Sequence, residues 1–204
     1  MTQFNTKFFL NGRNKRSEEY TDDSGFHRTD GPAITFFHEE TGNKWSEHWY
    51  MNNKIHRLDG PAETSWYKNG NVHYAKYLVN GQLHKTNGPA ETFYAENGKK
   101  KSEKWLINGE MQKEFYYFED SGSVAEQKIV IGTNAILLQW YENGQLKQET
   151  HYENHKIHKP DGPAVILWNE DGSLDEAIYA FKGHYPETHS DEGLFALMQS
   201  LQLS

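Results

Sequence analysis

The sequence predicts an all-β fold, an extended and twisted antiparallel up-and-down meander of hairpin repeats that ends in a short C-terminal capping helix. Three observations predict it. A loop motif recurs along the chain, glycines recur at a similar spacing, and the intervening runs are rich in aromatic and β-branched residues. We expect about seven repeats of about 28 residues over residues 1–186, an irregular central unit at 109–140, and the helix over 187–204.

The repeat is visible first in a loop motif, H-[RK]-x-[DN]-G-P-A. It begins at His27, His56, His84 and His158, so the first two intervals are 29 and 28 residues and the last is 74. A second series marks turns and consists of Gly12, Gly42, Gly70, Gly98, Gly122, Gly144 and Gly172. Three of its steps are 28 residues, which sets the length of the repeat.

Residues 60–90 show the order of elements within one repeat. After Gly-Pro-Ala comes a short strand pattern at 63–67, then Asn–Gly, a second strand pattern at 72–79, and the next His loop. Asn–Gly between two such runs predicts a hairpin, because both residues tolerate the positive φ of a type I′ turn. An aromatic residue recurs in the second strand as Trp49, Tyr77 and Trp105, and we expect these rings to stack along one face of the sheet.

The C-terminal segment has a different pattern. Ser190 precedes two acidic residues, and Leu194, Leu197, Met198 and Leu201 follow at helical spacing. This predicts one amphipathic helix whose apolar stripe covers the last strands, since a repeat array needs its terminal unit covered. A helix offered to a partner is the alternative.

Composition narrows the class of protein. The chain has 204 residues and a net charge of −8, which disfavours binding to nucleic acid or to anionic membranes. Its 6 Trp, 12 Tyr and 11 Phe argue against disorder. It has no cysteine, which excludes disulfides and thiolate metal sites, and no apolar run of membrane-spanning length. We therefore expect a folded, cytoplasmic protein without a cofactor.

The repeat W-Y-K-N-G…Y-L-V-N-G-Q-L-H-K-T-N-G-P-A resembles the MORN and MORN-variant repeats, and most closely the bacterial and phage subgroup with the H-[RK]-x-[DN]-G-P-A signature. The resemblance covers about residues 4–186. It implies an extended antiparallel sheet and binding to proteins or membranes, and some bacterial members are described as antitoxins. It implies no catalytic residues, because the family shares none.

The His loops are candidates for a site, but geometry favours a structural role. Equivalent histidines lie two strands apart, about 9.5 Å at about 4.8 Å per strand, which is too far for two of them to share one zinc ion. Asp, Gly, Pro, Ala and His each have a use in building the loop itself. The alternative is a functional row of histidines with Arg28, Arg57, Lys85 and Lys159 that meets an anionic group.

The irregular middle is the strongest candidate for a site. The interval from Gly109 to Gly122 is 13 residues, where Gly81 to Gly98 is 17, and Gly132 with the two residues after it replaces a whole His loop. We expect a notch there with an apolar floor, the usual form of a binding site. The residues predicted to surround it are His84, Lys85, Phe115, Tyr117, Trp140, His158 and Lys159. Alternatively, the short loops let the sheet bend or pack on a second copy.

These patterns favour a non-enzymatic protein that binds another protein through an extended β surface, as an antitoxin or a phage-encoded inhibitor of a host factor would. Three alternatives stay open. One is a protein that holds a small anionic or nucleotide-like ligand with His, Lys and aromatic side chains. Another is a hydrolase that uses a pair such as His158 and Asp161. The third is a structural homo-oligomer with the apolar middle as its interface.

Overall fold

The computed structural model describes residues 2–10 and 12–186, with the single positions 192, 193, 197 and 199. The chain forms two compact units, Met1–Met111 and Gln112–Ser204. The first thirteen strands are β1 Gln3–Phe8, β2 Lys15–Asp22, β3 Gly25–Phe26, β4 Ile34–Phe37, β5 Lys44–His48, β6 Tyr50–Met51, β7 Lys54–Ile55, β8 Glu63–Trp66, β9 Val72–Lys76, β10 Leu78–Val79, β11 Gln82–Leu83, β12 Glu91–Tyr94 and β13 Lys100–Ile107. The others are β14 Glu110–Tyr117, β15 Val124–Ile131, β16 Asn134–Trp140, β17 Leu146–Glu153, β18 Lys156–Ile157, β19 Val165–Trp168 and β20 Leu174–Ile178.

The sheet is antiparallel and up-and-down in both units, which confirms the predicted all-β class. In the first unit the strand order is β1-β2-β4-β5-β8-β9-β12-β13, and in the second it is β14-β15-β16-β17-β19-β20. Among the described residues, sixteen strands pair in this way, including β3 beside β2 and β18 beside β17. The number of repeats stays a prediction, and the predicted helix over 187–204 lies outside the described residues apart from four single positions.

One edge of each unit consists of tight hairpin turns with a common geometry. In the turn between β8 and β9, the N–H of Gly70 donates to the carbonyl of Tyr67 over 3.0 Å, and the N–H of Tyr67 donates to the carbonyl of Asn71 over 2.8 Å. A β-bulge falls one residue earlier, at Trp66. The glycine has φ +89°, which a residue with a side chain adopts only with strain. The glycine series in the sequence thus marks these turns.

The other edge carries the His loops, each preceded by a small hairpin. After β9 the chain forms the β10–β11 hairpin around Asn80 and Gly81, then the loop, then β12. The alanine that ends each loop is completely buried, and its N–H and carbonyl bond the two adjoining strands. These alanines are Ala33, Ala62, Ala90 and Ala164. Only a small residue fits at a point where loop and strands come so close together.

The core is thin, because the described residues of each unit form a single layer of sheet. Extensive contacts among the described elements are between neighbouring strands. On one face, two small serines are followed by two aromatic rings along the cross-strand row of Ser46, Ser65, Tyr74 and Phe93. Both serines in that row are buried beneath their larger neighbours. The side chains of the strands therefore cover one another, and much apolar surface stays half-exposed.

Candidate functional site

Each His loop is joined to the hairpin of the following repeat by one ring nitrogen of its histidine. In the second loop, the backbone N–H of Asn80 donates to Nδ1 of His56 over 3.2 Å, and the N–H of Gly81 donates to the carbonyl of Ile55 over 2.8 Å. The same backbone-to-imidazole bond joins Asn52 to His27, Asn108 to His84 and Lys182 to His158, each at 3.1 Å. The histidine thus serves as an acceptor that fixes the next turn.

The basic residue after His27, His56 and His84 lies over an aromatic ring of the strand region that precedes its loop. The guanidinium of Arg57 lies 3.8 Å from the centroid of the Trp49 ring and donates from Nε to Asp59 over 2.8 Å. Arg28 lies over Tyr20 and pairs with Asp30 in the same way, and Lys85 lies 3.6 Å from the centroid of Tyr77. These cation–π and ionic contacts account for the basic residue without an external anion.

Local charges also shift the acidity of loop and sheet carboxylates. The hydrogen bond from Arg57, with its positive charge, holds the pKa of Asp59 below its usual value, and Arg28 does the same for Asp30. On the sheet, Nδ1 of His48 lies 3.3 Å from Glu63. That hydrogen bond lowers the pKa of Glu63 and outweighs the opposing effect of burial.

The acidic residues of the second strands reveal a motif that sequence reasoning missed, Lys-x-Ser-Glu. In each copy the serine is buried, and the lysine pairs with the glutamate three residues later on the other face. The copies are Lys15–Glu18, Lys44–Glu47 and Lys100–Glu103. The available signal was the alternation of side chains along a strand. Alternation places residues that are three apart on opposite faces, and a lysine is long enough to reach across.

The residues predicted to surround a notch fall in both units. His84 and Lys85 belong to the first unit, where they make the loop contacts described above. In the second unit, Phe115 and Tyr117 stack with centroids 6.5 Å apart, and Trp140 is half-buried at a bulge opposite Leu146. His158 and Lys159 line a depression in the second unit.

His158 differs from the other loop histidines because both of its ring nitrogens have partners. Nδ1 accepts the N–H of Lys182, and Nε2 lies 2.7 Å from Glu153. The side chain is 6% exposed and packs edge-on against Phe181. The carboxylate beside His158 is therefore Glu153 and not Asp161, and the contacts do not support proton transfer by a His158–Asp161 pair.

The predicted shortening of two loops is present in the structure. Asn108 and Gly109 alone connect β13 to β14, and Gly132 and Thr133 alone connect β15 to β16. The second of these turns lies between two shallow depressions of the second unit, each of about 410 Å³. Their lining residues include those of the turn's two strands, Ile131, Ala135 and Leu137.

An apolar surface extends from this turn, and we call it the isoleucine face. It consists of Ile129, Ile131, Ile136, Leu138 and Ile166. Ile129 pairs across strands with Ile136, and Ile131 is 68% exposed. The cross-strand row of the first unit that has the same place in the repeat contains Thr35, Glu47, Thr64 and Thr92. Leu138 and Ile166 thus have the places that threonines have in the first unit, while Glu149 has the place of Glu47.

Comparison with known proteins does not assign the chain to a family. No protein-family model matches it, and no curated protein is significantly similar to it. Across the described part of the chain, no helix has the length and apolar character needed to cross a membrane. The described residues also contain no group of three or more His, Asp or Glu arranged to hold a metal ion.

Proposed function

We propose that this protein is a non-enzymatic binding protein that engages another protein through an extended β surface, and that the isoleucine face is part of the contact. The observation that carries the proposal is that Ile131 is 68% exposed and that the other four side chains of this face are only half-buried. In the described part of the second unit, no further layer of structure packs across it. Contiguous apolar surface of this kind marks protein–protein contact sites.

The state of the polar side chains supports binding rather than catalysis. The loop histidines accept backbone N–H groups, and Arg28 and Arg57 are paired with aspartates. In each depression of the second unit, carboxylates outnumber lysines, two to one, which does not favour a small anionic ligand. The resemblance to MORN-variant repeats supports the same class of function, in which an antitoxin or a phage-encoded inhibitor binds its target protein.

The test compares two glutamate substitutions at exposed apolar residues. Ile131→Glu places a charge on the isoleucine face, whereas Leu58→Glu changes a 79% exposed residue of a His loop in the first unit. Each tagged protein is incubated with lysate of its own source, and the retained proteins are quantified by mass spectrometry. We expect wild type and Leu58→Glu to retain the same amount of the same partner protein. Ile131→Glu should retain at least about tenfold less of it, because a charge is costly to bury against an apolar partner.

Circular dichroism and thermal melting confirm that both variants are folded. Equal retention by Ile131→Glu and Leu58→Glu would show that the isoleucine face is not the contact. Retention of no specific protein by wild type, together with turnover of a substrate, would contradict the proposed class of function.

A further inference from the structure

The short turn between β15 and β16 projects less far than the His loop at 158–164, which lies on the same side of the second unit, where the strands are joined by loops. We call residues 131–135 the saddle. Here two residues connect consecutive strands, whereas from β17 to β19 the chain passes through the β18 hairpin and the whole loop at 158–164. The saddle therefore lies where a regular repeat would place a His loop.

The hairpin beside the saddle shows what the absent loop would have contacted. Elsewhere the turn residues of a hairpin donate to the preceding His loop, one N–H to Nδ1 and the next to a carbonyl. In the β17–β18 hairpin, the N–H of Asn154 donates instead to Oδ1 of Asn134 over 3.3 Å. The N–H of His155, which has the place of Gly81 in the β10–β11 hairpin, makes no backbone hydrogen bond to a preceding loop in the described structure. The N–H of Asn154 thus has a substitute acceptor, whereas the N–H of His155 has no loop carbonyl to donate to in the described structure.

Two depressions flank the saddle on opposite faces of the sheet. One has Lys128 and Leu137 in its wall, and the other has Ile136 and the loop at 158–161. Ala135 and Tyr152 line both depressions, so the two depressions meet at the saddle. Side chains at alternate positions of an extended chain point in opposite directions, which suits a chain that crosses this edge.

The lining of the two depressions fits a positively charged occupant. Four of the lining residues are carboxylates and two are lysines, a difference of −2. The carboxylates are Glu114, Glu126, Glu153 and Asp161, and Tyr116 and Tyr152 provide aromatic rings. The protein itself holds a cation with this chemistry in its loops, where Arg57 lies on an indole ring and pairs with a carboxylate.

We infer that an extended, positively charged segment of a partner protein crosses the saddle and takes the place of the absent His loop. The inference rests on the proposed function, because it names the kind of segment that the partner brings. The segment accepts the N–H of His155 with a backbone carbonyl, places apolar side chains against Ile131 and Ile136, and places arginine or lysine beside Glu126 and Asp161. An acidic receptor surface also raises the rate of encounter with such a segment.

The test measures binding of two labelled peptides by fluorescence anisotropy. The first is an extended peptide of alternating arginine and leucine, and the second has glutamate in place of each arginine. We expect the full-length protein to bind the arginine peptide at least tenfold more tightly than the glutamate peptide. The difference should shrink as salt is added, because ions screen exposed charges.

Isosteric variants locate the site. Glu126→Gln with Asp161→Asn removes two negative charges without changing shape, and asparagine already has the place of Asp161 in the loop at 84–90, as Asn87. We expect this variant to bind the arginine peptide five- to tenfold more weakly. The matched control, Asp175→Asn with Glu176→Gln on β20, removes the same charge at exposed positions away from the saddle and should bind as wild type does.

Equal binding by the two double variants would overturn the inference, as would failure of wild type to prefer the arginine peptide. If Glu126→Gln lowers stability, Asp161→Asn alone provides the same comparison against Asp175→Asn. A partner that wild type retains from lysate and Ile131→Glu loses, with no preference for the arginine peptide, would refute the charged segment and leave the proposed function standing. If wild type retained no such partner from lysate and also showed no preference for the arginine peptide, both the charged segment and the proposed function would be refuted.

Discussion

A single imidazole nitrogen explains why histidine recurs in the loops. Nδ1 of His27, His56, His84 and His158 accepts a backbone N–H from a turn whose first residue has positive φ. Asn134 does the same with its amide oxygen where the loop is absent. In each case the first residue of the next turn has a backbone N–H that needs an acceptor. A side chain must provide it, because the turn directs its N–H groups outward, away from the strands.

The aspartates of the loops provide a prediction at this scale. Arg57→Met removes the hydrogen bond and the charge that hold the pKa of Asp59 low, so that pKa should rise toward its usual value. Because the folded-state pKa is depressed, the stabilisation from this pair is present at neutral pH and is lost as the pH falls through the folded-state pKa. Carboxyl carbon NMR measures the titration directly.

Asp171 is the internal control for this titration. Hydrogen bonds from the Ser173 side chain and backbone hold its pKa low, and these are independent of Arg57. An unchanged pKa for Asp59 in Arg57→Met, with Asp171 also unchanged, would show that the arginine does not set the acidity of the loop.

At the scale of elements, the repeating unit of stability is a loop docked on the next hairpin. The loop donates from the residue after its histidine, as Arg57 N–H does to the carbonyl of Leu78 over 3.1 Å, and it accepts two N–H groups in return. On the opposite edge, Tyr67 donates from its hydroxyl to the carbonyl of Tyr94 over 2.8 Å, also in the next repeat. Both edges therefore link consecutive hairpins through polar contacts, which matter more in a single-layer sheet because its core is thin.

Substitution of His56 tests this docking. His56→Ala removes the protein acceptor of the Asn80 N–H, an exposed hydrogen bond, and should lower the free energy of unfolding by about 0.5–1.5 kcal/mol. His56→Asn should lose less, since Asn134 shows that an amide oxygen can accept the equivalent bond. Urea unfolding followed by tryptophan fluorescence measures both.

His155→Ala serves as the reference, because that side chain is exposed and should contribute little. If His56→Ala and His155→Ala had the same stability, the imidazole bond would contribute nothing to the array.

At the scale of the whole molecule, contacts run from each hairpin to its sequence neighbours. The two compact units are each built this way, so stability should be a sum of repeat and nearest-neighbour contributions. The register supports this view in the first unit, where His48 lies opposite Glu63 and Lys76 lies opposite Glu91. In both of these strand pairs a basic or imidazole side chain lies opposite a glutamate.

Deletion of one complete repeat is therefore expected to be tolerated. Removing residues 56–83 joins Ile55 to His84, and β5 would then pair with β12 in the register it now has with β8. We expect a folded protein with a smaller denaturant m-value, because less surface is exposed on unfolding. Deleting only residues 70–83 should abolish cooperative unfolding, since it removes β9 together with the β10–β11 hairpin and would place the next His loop at the edge that carries the tight turns. Equal behaviour of the two deletions would argue against a modular array.

The proposed binding surface shows where sequence-based prediction stopped. The short turn at Gly132 was visible as a deviation from the repeat, and His158 and Lys159, two of the residues expected to surround a notch, line a depression beside it. Asn134 and Tyr152 were missed, because their roles depend on which strands come together at the low edge. Tyr152 lies 17 residues beyond Ala135 in the chain but directly opposite it in the sheet.

The sequence by itself determined the local structure, because that depends on residue types at short range. Asn–Gly pairs with positive φ, buried loop alanines and alternating strand residues each constrain only a few neighbouring dihedral angles. Only the tertiary structure decided which side chains meet: Glu153 rather than Asp161 reaches His158, and Arg57 covers Trp49. Such contacts depend on strand register and on loops folding over a sheet face, which join residues that no local pattern relates.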